Sequence, residues 1–102
     1  MAAAKAYFTD RDTFNGYTTA LASAYEPSLR WAAAGDPGTA SQNIAIVTAS
    51  GNSLLLVRAS QAGTYFCAVE TAGVSRIARD DAATSSYANV NTVAECAALP
   101  AA

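Results

Sequence analysis

The sequence predicts an α+β fold, in which a truncated N-terminal helix packs on a small antiparallel β-sheet of about four strands. Three observations lead to this prediction. The chain begins with an alanine-rich stretch that favours a helix, several short apolar runs separated by turn residues follow, and two cysteines bound the C-terminal part. We expect a single domain over residues 1–102, because this length matches the usual size of one domain.

The end of a helix is predicted at residues 1–8. The segment Ala2–Phe8 reads Ala-Ala-Ala-Lys-Ala-Tyr-Phe, and alanine has the highest intrinsic helix propensity of all residues. No capping residue precedes this segment. We therefore interpret it as the last turns of a helix whose beginning is missing.

A polar loop that contains a short helix is predicted over residues 9–28. Asn15 and Gly16 together form a strong turn signal. The segment Thr18–Tyr25 favours a short helix, because Thr18 or Thr19 can cap its N-terminus. The predicted inward face of this helix consists of Leu21, Ala22 and Tyr25.

The antiparallel sheet is predicted within residues 29–79. Short turns between apolar runs favour neighbouring antiparallel strands, and residues 35–38 (Gly-Asp-Pro-Gly) form a loop or turn. Residues 73–79 add either an edge strand or a loop, and residues 80–93 are irregular by pattern. The predicted strands are Leu29–Ala33, Asn43–Ala49, Ser53–Ala59 and Thr64–Glu70.

Cys67 and Cys96 have two interpretations. Their spacing fits neither a C-x-x-C pair nor a zinc ribbon, so they are either two reduced, buried thiols or one structural disulfide. We favour the disulfide, because closing the loop between them stabilises a small domain by roughly 3.6 kcal/mol in the chain-entropy model. A disulfide places the domain outside the cytosol, with residues 67–96 as a disulfide-bounded C-terminal region.

No export signal is recognisable at the start of the chain. Residues 1–10 lack the apolar core of a signal peptide, and no 18-residue apolar stretch is present. An extracytoplasmic domain needs such a signal. We therefore expect the chain to be a fragment of a longer protein, with Met1 as a new start.

The composition argues against several classes of function. The net charge is −2 and the six cations are scattered, whereas proteins that bind nucleic-acid backbones usually present a basic face. Histidine, the commonest general base and transition-metal ligand, is absent. No nucleophile elbow, P-loop or dinucleotide motif occurs. We expect no catalytic residue, no metal and no cofactor.

Acidic residues provide three weak candidates for a site. Residues 10–21 begin like an EF-hand loop, but the fifth, sixth and twelfth positions are wrong, so we favour a helix-terminating loop. Asp80 and Asp81 lie near Arg76 and Arg79 in the sequence, and we interpret this charged group as a solvated loop. The three glutamates are isolated in the sequence, and no feature supports a hydrolytic pair: Glu26, Glu70 and Glu95.

Five of the nine aromatic residues lie between positions 7 and 25. They form either a stacking platform for bases or sugars, or a packing cluster between the helix end, its loop and the sheet. We favour packing, because alanine supplies little volume to a core. The five residues are Tyr7, Phe8, Phe14, Tyr17 and Tyr25.

Several segments follow the pattern of a known family. Residues 4–17 pass from an alanine-rich helix through an aromatic and polar residues to Phe-Asn-Gly, and residues 21–27 suit a short helix. Residues 60–67 read Ser-Gln-Ala-Gly-Thr-Tyr-Phe-Cys, a hairpin of the form Ser-x-x-Gly-Thr-x-x-Cys. These segments resemble the globular domain of bacterial type IV pilins and pseudopilins. Cys67 and Cys96 match the cysteines that bound that family's disulfide-closed C-terminal region.

The resemblance implies a structural function rather than an enzymatic one. The protein would be a pilin, a subunit of an extracellular type IV pilus-like fibre on the cell surface. A missing N-terminal helix would hold it in the inner membrane before assembly and would pack against other copies in the fibre. The implied partners are other copies of the chain, minor pilins and the assembly machinery, and no nucleic acid is firmly implied.

Two alternative functions remain at this point. One is a minor pseudopilin or a tip adhesin of a type II secretion or pilus system. The other is a small secreted binding domain, which would need a cleavable signal peptide in place of a retained helix.

Overall fold

A computed structural model describes residues 2–26, 29–31, 37, 44–60, 62–71, 73–81 and 85–101. The helices within these ranges are α1 (Ala2–Arg11), α2 (Thr19–Tyr25) and α3 (Val93–Ala98), with a 3-10 helix at Tyr87–Asn89. The strands are β1 (Ala45–Ser50), β2 (Ser53–Ala59), β3 (Tyr65–Thr71) and β4 (Val74–Arg79). The predicted α+β class and the small antiparallel sheet are confirmed.

The four strands form one antiparallel meander in the order β1-β2-β3-β4. Ser50 pairs with Ser53 across the first turn, where Gly51 has a φ of +57°, a left-handed conformation that other residues rarely adopt. The chain between 73 and 79, predicted as an edge strand or a loop, is the strand β4. A meander of short hairpins needs no crossover, so each face of the sheet is free to receive a helix.

The two faces of the sheet carry separate apolar clusters, because successive side chains of a strand point to opposite sides. One face packs against α3, and its buried members include Leu55, Val57, Cys67 and Val69. The other face packs against α1 and the loop that follows it, and includes Leu54 and Leu56. Strand β2 is therefore buried on both faces, which explains its run of four consecutive buried residues.

Helix α1 continues three residues beyond its predicted end at residue 8 and stops at Arg11. Asp12 ends it with a φ of 58°, and its N–H donates to the carbonyl of Phe8. A single left-handed residue after the last turn is a common way to end a helix, and aspartate tolerates that conformation better than most residues. This geometry agrees with the helix-terminating loop predicted for the segment from residue 10.

Helix α2 begins as predicted, but it does not present the predicted inward face. The hydroxyl of Thr18 accepts a hydrogen bond from the N–H of Leu21, which makes Thr18 the N-cap. Of the three predicted inward residues, only Ala22 is buried, whereas Leu21 and Tyr25 are 37% and 52% exposed. The helix has only seven residues, and a narrow stripe of its surface contacts the rest of the domain. That stripe includes Ala22 but neither Leu21 nor Tyr25.

The strand predicted at residues 29–33 is absent from its described part, residues 29–31. There, Trp31 forms an isolated parallel bridge with Ile44, and the amide of Ile44 donates to the carbonyl of Arg30. Residues 32–33 lie outside the described part of the chain, as does the predicted turn at 35–38 apart from position 37. The predicted start of the next strand at residue 43 also lies outside it, and β1 begins at Ala45.

The 3-10 helix at Tyr87–Asn89 lies inside the segment 80–93 that was predicted to be irregular, and helix α3 begins at the last residue of that segment, Val93. Thr92 caps it by accepting from the N–H of Glu95 at 3.1 Å, and the threonine hydroxyl donates to the Glu95 carboxylate at 3.0 Å. This arrangement is a capping pair of the form Thr-x-x-Glu, a signal that the sequence does contain. In the described part of the chain, no helix has both the length and the apolar character needed to cross a bilayer.

Candidate functional site

The two cysteines form a disulfide between the centre of the sheet and the C-terminal helix. Cys67 lies in the middle of β3 and Cys96 lies on α3, with 6.1 Å between their Cα atoms. Both residues are buried in the cluster between the sheet and α3. Of the two interpretations of the cysteines, the disulfide is correct, and it ties the end of the chain to an inner strand.

A second link holds the C-terminal end of α3. The guanidinium of Arg76, on β4, donates to the carbonyl of Cys96 at 2.7 Å and also to the carbonyl of Leu99. The last carbonyls of a helix lack partners within it, and they carry partial negative charge. Arg76 therefore gives the Leu99 carbonyl a charged donor and adds one to the Cys96 carbonyl, which also accepts from the N–H of Leu99.

Asp80 corrects the prediction of a solvated charged loop. Asp80 follows directly after β4 and is only 3% exposed. One carboxylate oxygen, Oδ2, accepts from the hydroxyl of Ser85, the N–H of Ser86 and the side-chain amide of Asn89, at 3.3, 3.0 and 3.0 Å. A buried carboxylate needs such donors, because they replace the water it loses. Asp80 therefore organises the segment that leads into the 3-10 helix.

The four charged residues near position 80 do not converge on one point. Asp81 is exposed and pairs with Arg79 at 2.8 Å, while Arg76 binds the carbonyls of α3 and Asp80 faces the 85–89 segment. No group of three potential metal-ligating side chains occurs within the residues that the structure describes. Each of these charged side chains therefore stabilises a separate local contact, and together they form no common site.

The isolated glutamates also lie in separate places. Glu70 on β3 is buried, and it accepts from the hydroxyl of Ser75 at 2.8 Å and lies 3.4 Å from the ammonium of Lys5. Glu95 belongs to the cap of α3, and Glu26 follows α2. The Lys5–Glu70 ion pair places the first turns of α1 over β3.

The aromatic residues between positions 7 and 25 mostly pack α1 and its loop onto the sheet. Tyr7, Phe14 and Tyr17 are buried, and the ring centroids of Tyr7 and Tyr17 lie 5.2 Å apart. The rings of Phe8 and Phe14 lie 4.7 Å apart. Buried rings offer no open surface to a base or a sugar, so the contacts support the packing interpretation. Tyr25 is the exception, since it is exposed.

The loop after α1 is attached to the β1–β2 turn by hydrogen bonds to the main chain of Gly51. The N–H of Phe14 donates to the carbonyl of Gly51 at 2.7 Å, and the N–H of Gly51 donates to the side-chain oxygen of Asn15 at 2.9 Å. The hydroxyl of Tyr7 donates to the carbonyl of Asn15 at 2.7 Å. The Asn-Gly signal in the sequence therefore marks a docking point as well as a turn.

Tyr17 is the one buried side chain whose polar atom has no hydrogen-bond partner among the described residues. Burial, and to a lesser extent the nearby negative charge of Glu26, raise the pKa of Tyr17 to about 12. A buried phenol without a partner lowers stability, because it has lost water without compensation. The sequence contains no signal for this orphaned hydroxyl.

The described residues leave one part of the sheet open on the α1 side. An open groove of about 440 Å³ lies there, and the described residues that line it include Ile44, Leu56, Arg58, Phe66, Ala68 and Ile77. Ile77 is 58% exposed. The groove combines an apolar floor with a cation, Arg58.

Comparison of the chain with models of known protein families, with curated proteins and with solved structures finds no match.

Proposed function

We propose that this chain is the globular domain of a structural subunit of a type IV pilus-like surface fibre. One observation carries the proposal: the N-terminal helix lies on one face of an antiparallel meander, and a disulfide ties the C-terminal region to the other face. This layout is the one that the resemblance to pilins implies. In the proposal, the chain forms the outer shell of the fibre, and an apolar helix ahead of Ala3 forms its core.

The attachments of the C-terminal region support a load-bearing function. A covalent bond closes residues 67–96. Within this region, Arg76 on β4 holds the end of α3, and Asp80, directly after β4, holds residues 85–89. Under tension along the chain, the disulfide prevents the residues between Cys67 and Cys96 from being extended. A subunit of a fibre that is pulled needs such a constraint.

The composition also suits a surface that contacts other copies. Charged residues make up only 14% of the chain, and alanine accounts for roughly a quarter of it, well above ordinary usage. Small, neutral side chains allow copies to approach closely with little desolvation of charge. The proposal needs no metal, no cofactor and no catalytic group.

The first test is intact-mass analysis with N-terminal sequencing of the native protein from its source cells. We expect a mature chain that begins with an N-methylated aromatic residue, carries an early glutamate and continues through a long apolar helix into Ala3. A mature chain that starts near Ala2 after ordinary signal-peptide removal would overturn the fibre proposal, in favour of a small secreted binding domain.

Copy number in a sheared surface fraction then separates a main subunit from a minor one. We expect the chain to be a dominant protein of isolated fibres, with a signal that disappears when the gene is deleted. A few copies per fibre, or a location restricted to one tip, would instead indicate a minor pseudopilin or an adhesin.

A further inference from the structure

Helix α1 covers only one end of its sheet face. The Lys5–Glu70 pair lies in the row where Leu54, Glu70 and Ser75 face one another across β2, β3 and β4. The loop after α1 is attached nearby, at Gly51. The open groove lies over the rows further along β2 towards its C-terminal end, where Leu56 is buried in the cluster with α1 and Arg58 is exposed.

Two neighbouring rows form this groove. In the first, Leu56, Ala68 and Ile77 are paired side by side across three strands. Residues paired in an antiparallel register share one face, so the three side chains make a continuous apolar floor. Ile77 is 58% exposed, whereas Leu56 at the other end of the same row is buried.

In the second row, two arginines flank a phenylalanine. Arg58 pairs with Phe66, and Phe66 pairs with Arg79. Since neighbouring strands are about 4.8 Å apart, the Cα atoms of the two arginines are roughly 10 Å apart on the same face. We call this surface the arginine-rimmed groove, with Leu56, Phe66, Ala68 and Ile77 as its floor and Arg58 and Arg79 as its rim.

The rim charges are available to a ligand. Arg58 is exposed, and within the described part of the chain its guanidinium makes no ion pair or hydrogen bond. Among the residues that the structure describes, the guanidinium of Arg79 pairs with the exposed Asp81, and pairs of this kind contribute little and exchange readily. Guanidinium groups bind carboxylates in a bidentate geometry and are favoured at protein interfaces.

We propose that the arginine-rimmed groove binds an acidic amphipathic segment of a partner protein. Apolar side chains of that segment would cover the floor, and its carboxylates would engage Arg58 and Arg79. The argument is one of complementarity: an apolar floor that is exposed at Ile77 and partly exposed at Phe66 and Ala68, with two cations at its rim, matches a segment that carries apolar and acidic residues on one side. This proposal is independent of the fibre function.

A peptide fits these features better than a nucleic acid does. Phe66 is the single aromatic residue among the described residues of the floor, and it is partly buried. Binding of single strands usually relies on several stacked aromatics and an extended basic path, whereas this chain has a net charge of −2. A net negative chain also repels acidic peptides in general, so their binding here would report a local site.

The experiment measures binding of two fluorescent model helices by anisotropy, using the full, oxidised chain. One helix carries leucine at helical spacing with glutamate beside it, and the other has every glutamate replaced by lysine. We expect the acidic helix to bind at least about tenfold more tightly, and its affinity to fall as salt is added. Equal binding of both helices, or no binding of the acidic helix at millimolar concentration, would overturn the proposal.

Matched variants locate the site. Arg58→Glu should weaken binding of the acidic helix by about tenfold or more, whereas Arg11→Glu, the same charge change on an exposed residue of α1, should leave it within about twofold. Ile77→Ser should also weaken binding. Val74→Ser should not, because Val74 pairs with Thr71 on the opposite face of the sheet, although it is 70% exposed. Equal effects within either pair would contradict the assignment.

Two further measurements assign the class of partner. Tighter binding of a single-stranded oligonucleotide than of the acidic helix, lost in Arg58→Glu, would overturn the proposal in favour of a nucleic-acid site. Sedimentation of the chain alone is expected to show no self-association that depends on Ile77. If Ile77→Ser abolishes an oligomer of the unmodified chain, the groove is a contact between copies and the proposal is wrong.

Discussion

Arg76 donates a 2.7 Å hydrogen bond to the carbonyl oxygen of Cys96, so the residue that carries the disulfide is held through its main chain as well as through its sulfur. The covalent link runs from α3 to β3, and the polar link runs from α3 to β4. Two adjacent strands therefore share the attachment of the C-terminal helix. The two links respond to different treatments, which makes their contributions separable.

Reduction of the Cys67–Cys96 bridge should lower stability strongly. The half-cystines are 29 positions apart, and the chain-entropy model assigns roughly 3.6 kcal/mol to a loop of that size. For a chain of this length, that loss corresponds to a fall in Tm of roughly 15–25 °C. Calorimetry with and without reductant measures it.

The control for this experiment is the double variant Cys67→Ala/Cys96→Ala, whose Tm should be low and insensitive to reductant. A thiol count on the denatured, non-reduced protein provides an independent check. Two free thiols there would show that the bridge does not form in solution.

The Arg76→Gln substitution should destabilise the domain by about 2 kcal/mol, because the carbonyls of Cys96 and Leu99 lose a charged donor. The matched control is Arg79→Gln. Its guanidinium pairs with an exposed carboxylate, so the loss should stay below about 0.5 kcal/mol. Urea unfolding of both variants gives the comparison, and similar losses would mean that Arg76 does not hold α3.

Removal of the buried carboxylate in Asp80→Ala should cost about 2–4 kcal/mol, since three donors lose their acceptor. Asp81→Ala, the neighbouring substitution at an exposed position, should cost less than about 0.5 kcal/mol. Hydrogen exchange supplies a local readout. The amide of Ser86 donates to Asp80, so its exchange should accelerate in Asp80→Ala and not in Asp81→Ala.

Two tyrosine substitutions should act in opposite directions. Tyr17→Phe removes a buried hydroxyl that has no partner among the described residues, so stability should rise by about 1 kcal/mol. Tyr7→Phe removes a hydroxyl that donates to the carbonyl of Asn15, so stability should fall by about 1 kcal/mol. Thermal unfolding of both variants tests this pair. A destabilised Tyr17→Phe would show that the phenol does have a partner in solution.

The decrease in the free energy of unfolding at alkaline pH should also depend on Tyr17. The pKa of this phenol is about 12 in the folded protein, whereas an unfolded chain releases the proton near pH 10. Between these values the unfolded state binds fewer protons, so the free energy of unfolding falls as pH rises. Below pH 10 this contribution is constant. Denaturation at several pH values should show a shallower decline in Tyr17→Phe than in the unmodified chain.

Local signals predicted most elements of the fold correctly. Two kinds of signal are local: the capping threonine at position 18, and the apolar runs that form β2 and β3. Each depends only on residues close to it in the sequence, so short-range propensity is sufficient to identify these elements. The local pattern of Val74–Arg79 does not distinguish an edge strand from a loop, because polar residues typical of either interrupt it. Helix α3 was missed, although Thr92 and Glu95 have the spacing of a capping pair.

The candidate sites depended much more on long-range contacts. Asp80 and Asp81 are adjacent and chemically identical, yet one is buried and the other is exposed. Their difference comes from which side of the chain meets the 85–89 segment, and no local pattern encodes that. The same holds for the arginine-rimmed groove, whose members come from different strands and meet only through the register of the sheet.

The sequence by itself therefore determined the class of the fold, the strands at its centre and the identity of the two residues that are able to form a disulfide. Tertiary structure alone decided that Cys67 and Cys96 are close enough to be joined, that Arg76 reaches the end of α3 and that α1 leaves part of the sheet open. The physical reason is distance along the chain. Propensity and capping act over a few residues, whereas the bridge, the arginine contact and the groove each require separate elements to pack in one particular register.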